Sequence, residues 1–120
     1  MPDEPQSEPW FDEETFSILR GTVSAEIFQR LLRLFLENTS NRLEEVMALD
    51  PQAEPERLAV ALHALKGSAL MVGARELETM AEDLRAATWR RDAEAMKQGI
   101  KRLEEALERV NDRIGQELES

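Results

Sequence analysis

A chain of 120 residues with 42% hydrophobic residues has room for one domain with a modest core. It contains no cysteine, which excludes disulfides, thiolate nucleophiles and thiolate metal sites. Its formal net charge of −10 disfavours general binding to nucleic acid or anionic lipid, whose phosphates would be repelled.

Residues 1–10, MPDEPQSEPW, are rich in Pro and acid and read as a flexible solvated tail. They carry neither the positive nor the apolar region of a signal peptide. No apolar run approaches the ~18 residues that span a membrane. A cytoplasmic protein of bacterial type is expected, and the sequon Asn38-Thr39-Ser40 is then a chance match. Residues 11–118 read as one domain, nearly all helix.

The first helix is predicted from Asp12, its N-cap, to Arg20, with Gly21 as its stop. The second starts near Ser24 and runs to Leu49, with an apolar stripe of Ile27, Leu31, Leu34, Phe35, Leu43 and Val46. The polar run Glu37 to Asn41 interrupts that stripe, so a bend or a solvent-facing stretch is expected there. Asp50-Pro51 ends the helix. Pro55 suits the first turn of a third helix, which runs to Val72 with Gly73 as C-cap. A fourth helix from Ala74 to Arg90 buries Leu77, Met80, Ala81, Leu84 and Ala87. Asp92 caps a fifth, whose seam is Met96, Ile100, Leu103, Leu107, Val110 and Ile114. Short connections make the last three helices antiparallel neighbours. The fold expected is all-α: an antiparallel up-and-down four-helix bundle with a short extra N-terminal helix.

The third helix is anomalous. Between Leu58 and Val72 the only formal charge is Lys66, and the chain's only histidine is His63. At about 100° per residue, Leu58, Ala61, Leu62, Leu65, Ala69 and Val72 form one core stripe. His63 and Gly67 share a different face, with Val60, Ala64, Leu70 and Met71 around them. Lys66, three residues from His63, is its neighbour on the helix surface. A four-helix bundle encloses none of its helices completely, so this second apolar face is a candidate docking surface. Gly67 costs about 1 kcal/mol relative to Ala inside a helix. Close helix packing would explain it; because it lies beside His63 and off the core stripe, access to the imidazole explains it better.

A lone His in an acidic chain is most often incidental. Metal ligation lacks partners: there is no second His, no Cys, and no acid at ligand spacing on its face. General acid–base catalysis lacks a triad partner. A nucleophile or carrier role is left, since free imidazole titrates near ~6.5 and its neutral form is abundant at pH 7. Lys66 is placed to pair with a phosphoryl group attached there. The run Lys66-Gly67-Ser68 is not a phosphate-binding loop, because the upstream Gly and the preceding strand are missing.

The run His63-Ala64-Leu65-Lys66-Gly67-Ser68-Ala69, with Gly73 ten residues past the His, resembles the signature of histidine-containing phosphotransfer (HPt) domains. The likeness in helix order and spacing covers Asp12 to Val110, including a short charged turn at Trp89 to Asp92. It implies that His63 takes a phosphoryl group from one receiver-domain aspartate and gives it to another. It also implies that Lys66 lies beside the phosphohistidine, that Gly67 admits the receiver, and that Arg85 falls near the His. Val60, Ala64, Leu70 and Met71 would complete the docking face. No cofactor is expected in this chain; Mg²⁺ belongs to the partner receiver domain. Nothing resembles an ATP-binding kinase domain, so a phosphoryl carrier is expected, not an enzyme. The expected partners are receiver domains of a hybrid sensor kinase and a response regulator, with the chain itself a free-standing monomer. Two other readings stay open: an adaptor bundle without phosphotransfer, and the phosphoacceptor domain of a larger hybrid kinase.

Overall fold

A computed structural model describes residues 10–120. The expected tail lies outside the described residues except for Trp10, which packs half-buried against the core. Five helices follow: α1 (Glu13–Thr22), α2 (Ala25–Ala48), α3 (Pro55–Val72), α4 (Arg75–Arg90) and α5 (Ala93–Glu119). No strand occurs among the described residues.

Local chemistry sets the helix ends. Asp12 accepts from the backbone N–H of Glu14 and Thr15, Ser24 from Ile27, and Asp92 from Ala95. Each satisfies donors that the first helical turn leaves open. Pro55 opens α3, where its missing N–H costs nothing. Gly73 closes α3 in the left-handed region, φ 86°. Its N–H and that of Ala74 both donate to the Ala69 carbonyl, at 3.0 and 2.9 Å. α4 ends on Arg91, which adopts the same region at φ 55° without being glycine. The α4–α5 turn is therefore only Arg91-Asp92, shorter than the turn expected from Trp89.

Two sequence expectations need correction. Gly21 does not stop α1, which continues to Thr22 and ends where Val23 turns extended to enter the Ser24 cap. One glycine costs a helix only about 1 kcal/mol, which tertiary packing overrides. In α2 the buried residues are Phe28, Leu32, Phe35, Thr39 and Val46, while Ile27 and Leu34 are exposed and Leu31 is half-buried. In its first half Glu26, Gln29, Arg30 and Arg33 share one face, and the apolar arc left over is wider than the core covers, so Ile27 and Leu34 fall at its exposed edge. The covered part of the arc meets α1, where the Phe16 and Phe28 rings lie edge to face at 5.4 Å. The polar run faces solvent, one of the two outcomes expected for it, with Glu37, Asn38, Ser40 and Asn41 exposed. α2 is continuous through it, and the buried Thr39 hydroxyl donates to the Phe35 carbonyl at 2.7 Å.

α4 and α5 match their expected seams, with Met80 and Ile100 half-buried at the margin and Ala106 added to the core. α2 packs on α3, α3 on α4, α4 on α5 and α5 back on α2, while α1 lies on α3 and α2. One core joins all five helices. α1 is fastened at its start from two sides. The Asp12 N–H donates to the Gly73 carbonyl at 2.7 Å, and the Arg75 guanidinium pairs with the Asp12 carboxylate at 2.8 Å. Near the end of α5, Arg113 grips Glu13 through two bonds of 3.1 and 2.9 Å and lies over the Phe16 ring at 4.8 Å. No helix of the described residues is long and apolar enough to cross a membrane.

Candidate functional site

α3 carries the candidate site because the bundle buries only one face of it. Leu58, Ala61, Leu62, Leu65, Ala69 and Val72 are fully buried, as the wheel requires. The opposite face is open. His63 and Gly67 are exposed, and so are Val60 at 67% and Leu70 at 51%. Met71 is exposed beside them and Ala64 is half-buried. Among the described residues, none makes a hydrogen bond or ion pair with the His63 imidazole.

Gly67 discriminates between the two explanations of its presence. A Cβ built on it meets nothing within 4 Å. Packing within this chain therefore does not require glycine there. Gly99 shows the contrast, since a Cβ on it would stand 3.0 Å from Leu84 Cδ1. The missing side chain at Gly67 leaves space on the outside of the protein, one helical turn from His63.

Lys66 lies on the edge of this face towards α4, and its partner was not foreseen. Its Nζ donates to Glu82 Oε1 at 3.2 Å, across the α3–α4 interface. Arg85 reaches the same carboxylate, Nε to Oε1 at 3.3 Å and Nη2 to Oε2 at 3.1 Å. The two cations expected near the histidine thus converge on one acid. Their hydrogen bonds hold the Glu82 carboxyl below the usual carboxylate range, Arg85 contributing most and Lys66 next. The pair Glu82 and Arg85, three apart on α4, was legible as helix-face neighbours. That Lys66 joins them follows only from how α3 and α4 pack.

On the other edge, Ala64 and Ser68 line a shallow groove with Asn38, Asn41, Arg42 and Glu45 of α2. The α1 hook supplies a further boundary, where Leu70 and Gly73 meet Asp12, Thr15 and Arg75. The face is therefore apolar at its centre, small at Gly67, and charged along both margins. No group of three or more His, Cys, Asp or Glu able to hold a metal occurs among the described residues.

The Hpt domain family model matches residues 30–113, well over half of the chain. The chain belongs to the Hpt domain family. It is a histidine phosphotransfer protein of a two-component phosphorelay, a phosphocarrier and not a kinase, of a family that interacts with receiver domains. Two solved structures are similar in fold. One is a rice chain assigned as a histidine-containing phosphotransfer protein, at 17% identity and TM-score 0.81, covering 92% of this chain and 81% of that one. The other is a histidine-containing phosphotransfer protein from maize, at 18% identity and the same TM-score, covering 92% of this chain and 85% of its own. No curated protein matches the sequence.

Proposed function

We propose that His63 is the phosphoacceptor and that receiver domains dock on the outward face of α3. The observation that carries this is the space at Gly67, which no contact within the chain explains, beside an exposed imidazole. An imidazole nitrogen attacks the phosphorus of a receiver aspartyl phosphate. The N–P bond forms, the P–O bond to the aspartate breaks, and the aspartate leaves as carboxylate. Reversal onto a second receiver aspartate completes the relay through a phosphohistidine intermediate. Val60, Ala64, Leu70 and Met71 supply apolar contact around the opening, and Lys66 and Arg85 supply positive charge at its margin. The acidic pocket and Mg²⁺ belong to the receiver; this chain brings no cofactor.

The partners are receiver domains of a hybrid sensor kinase and a response regulator, engaged by a cytoplasmic monomer. Residues 11–118 form its domain, an antiparallel up-and-down four-helix bundle of α2 to α5 with α1 as the short extra helix. The closed ring of contacts among α2 to α5 supports that description.

The test is transfer of label from a phosphorylated receiver domain to this chain. The bond should be acid-labile and base-stable. His63→Gln should abolish labelling while leaving helicity and the unfolding midpoint unchanged, because His63 is exposed. Label retained in that variant would place the phosphoacceptor elsewhere.

A further inference from the structure

Glu82 sits between the two cations, on α4, and takes no part in the proposed transfer of the phosphoryl group. Its oxygens are unequally shared. Oε1 accepts from both Lys66 and Arg85, whereas Oε2 accepts from Arg85 alone. Removing Lys66 from the trio still leaves Glu82 bonded to Arg85 through both oxygens. Removing Arg85 would leave Glu82 with a single partner. Arg85 is therefore the fixed member and Lys66 the releasable one. The exposure of the pair agrees with a contact that can open: the Lys66 and Glu82 side chains are 31% and 39% accessible. An exposed ammonium–carboxylate pair of this kind is worth little and is easily exchanged.

We propose that Glu82 is a positioning residue for phosphotransfer: its carboxylate holds Lys66 in a parked position at rest and releases it when His63 is phosphorylated. This rests on His63 being the phosphoacceptor. A phosphoryl group on His63 brings about two negative charges and three acceptor oxygens to within one helical turn of Lys66. It competes with a singly charged carboxylate for a flexible ammonium, and Lys66 has three donors to offer. No bond is made or broken at Glu82; only the hydrogen bond from Lys66 changes hands.

The charge count gives the direction of the effect. Lys66, Arg85 and Glu82 together carry +1 at rest and about −1 once the phosphoryl group arrives. Without the Glu82 charge the same site would go from +2 to about neutral. Glu82 therefore reduces how strongly the site stabilises phosphohistidine. A carrier that must pass its phosphoryl group onward gains from that reduction, because the group stays transferable.

The experiment is the equilibrium between a receiver domain charged with acetyl phosphate and this protein, read as the ratio of phospho-His63 to phospho-receiver. Glu82→Gln should raise that ratio about three- to tenfold with unchanged helicity, and Glu82→Asp, which keeps the charge one methylene shorter, should fall between. The rise should be clearly smaller when both proteins also carry Lys66→Met, since the part exerted through Lys66 is then lost and only the direct charge of Glu82 is left. A ratio equal to or below wild type in Glu82→Gln overturns the inference, and so does a rise undiminished by Lys66→Met. Should Glu82→Gln lose helicity, the Glu82→Asp ratio, with and without Lys66→Met, decides by the same signs. Wild-type protein that takes no label at His63 would instead overturn the phosphoacceptor reading itself, which separates the two failures.

Discussion

The carbonyl oxygen of Asp12 stands 2.6 Å from where a Cβ on Gly73 would be, and the Asp12 N–H donates to the Gly73 carbonyl at 2.7 Å. The close approach and the positive φ of Gly73 both exclude a side chain there. Gly73→Ala should destabilise the protein by about 2–4 kcal/mol, combining left-handed strain with backbone crowding. Urea unfolding measures it; a loss under about 0.5 kcal/mol would mean that α1 is not held against the end of α3.

Asp12 also makes stability depend on acid. The hydrogen bond from Arg75, followed by that from the Thr15 hydroxyl, lowers its carboxyl from the ordinary 3.8 to about 2. The folded value lies below the unfolded one, so this carboxylate stabilises the fold fully above about pH 4 and loses its contribution as pH falls towards 2. Asp12→Asn, which can still cap α1, should flatten the acid limb of the stability profile across that window. Urea midpoints at successive pH values read the slope, and identical slopes in both proteins would place the acid sensitivity elsewhere.

On the proposed docking face, Gly67 should set stability against transfer. It lies inside α3 with open space around it, as Gly115 does in α5. Substitution by Ala at either position should stabilise the fold by about 0.5–1 kcal/mol through helix propensity. Only Gly67→Ala should slow transfer from a receiver, by about tenfold, because a small misplacement of the docked partner is costly. Gly67→Arg should abolish transfer with helicity intact. Normal transfer by Gly67→Arg would show that receivers do not approach over this residue.

Arg113 fastens α1 by shape as well as charge. Its fork meets Glu13 through two nitrogens, another nitrogen reaches Glu117 at 3.3 Å, and its face covers the Phe16 ring. Arg113→Lys keeps the charge and loses the fork and the stacking, and should cost about 1–2 kcal/mol. Phosphotransfer should be unaffected in the folded variant. Unchanged thermal and urea midpoints would reduce the cluster to surface pairing.

Sequence and structure agree where one signal dominates. α3 begins at Pro55 and ends before Gly73 as its punctuation requires, and the α5 seam is found because polar residues separate its apolar positions. They part where signals compete. The first half of α2 offers an apolar arc wider than the core uses, and how much of it is covered depends on contacts such as that of Phe28 with Phe16 of α1, which local periodicity cannot register. Gly21 reads as a stop only in isolation. The outward face of α3 was legible because burial of one stripe exposes the other. Glu82 was not, because nothing within sixteen residues of chain says that Lys66 and Glu82 meet; that is a property of two packed helices.

Only Gly73 and Ala74 lie between α3 and α4, so Glu82 is presented to Lys66 on a short and stiff tether. A carboxylate delivered in this way acts at an effective concentration of millimolar or above, on the order of what short linkers provide. Free anions in solution must outcompete it at their own bulk concentration and with their full loss of translational freedom. Inorganic phosphate is therefore a poor occupant of the resting site. A phosphoryl group on His63, the proposed phosphoacceptor, would be tethered as well, through α3 itself, and would meet Glu82 on equal terms. With His63 as phosphoacceptor, as proposed, the two-residue turn would let the protein tell phosphate it carries from phosphate that merely surrounds it.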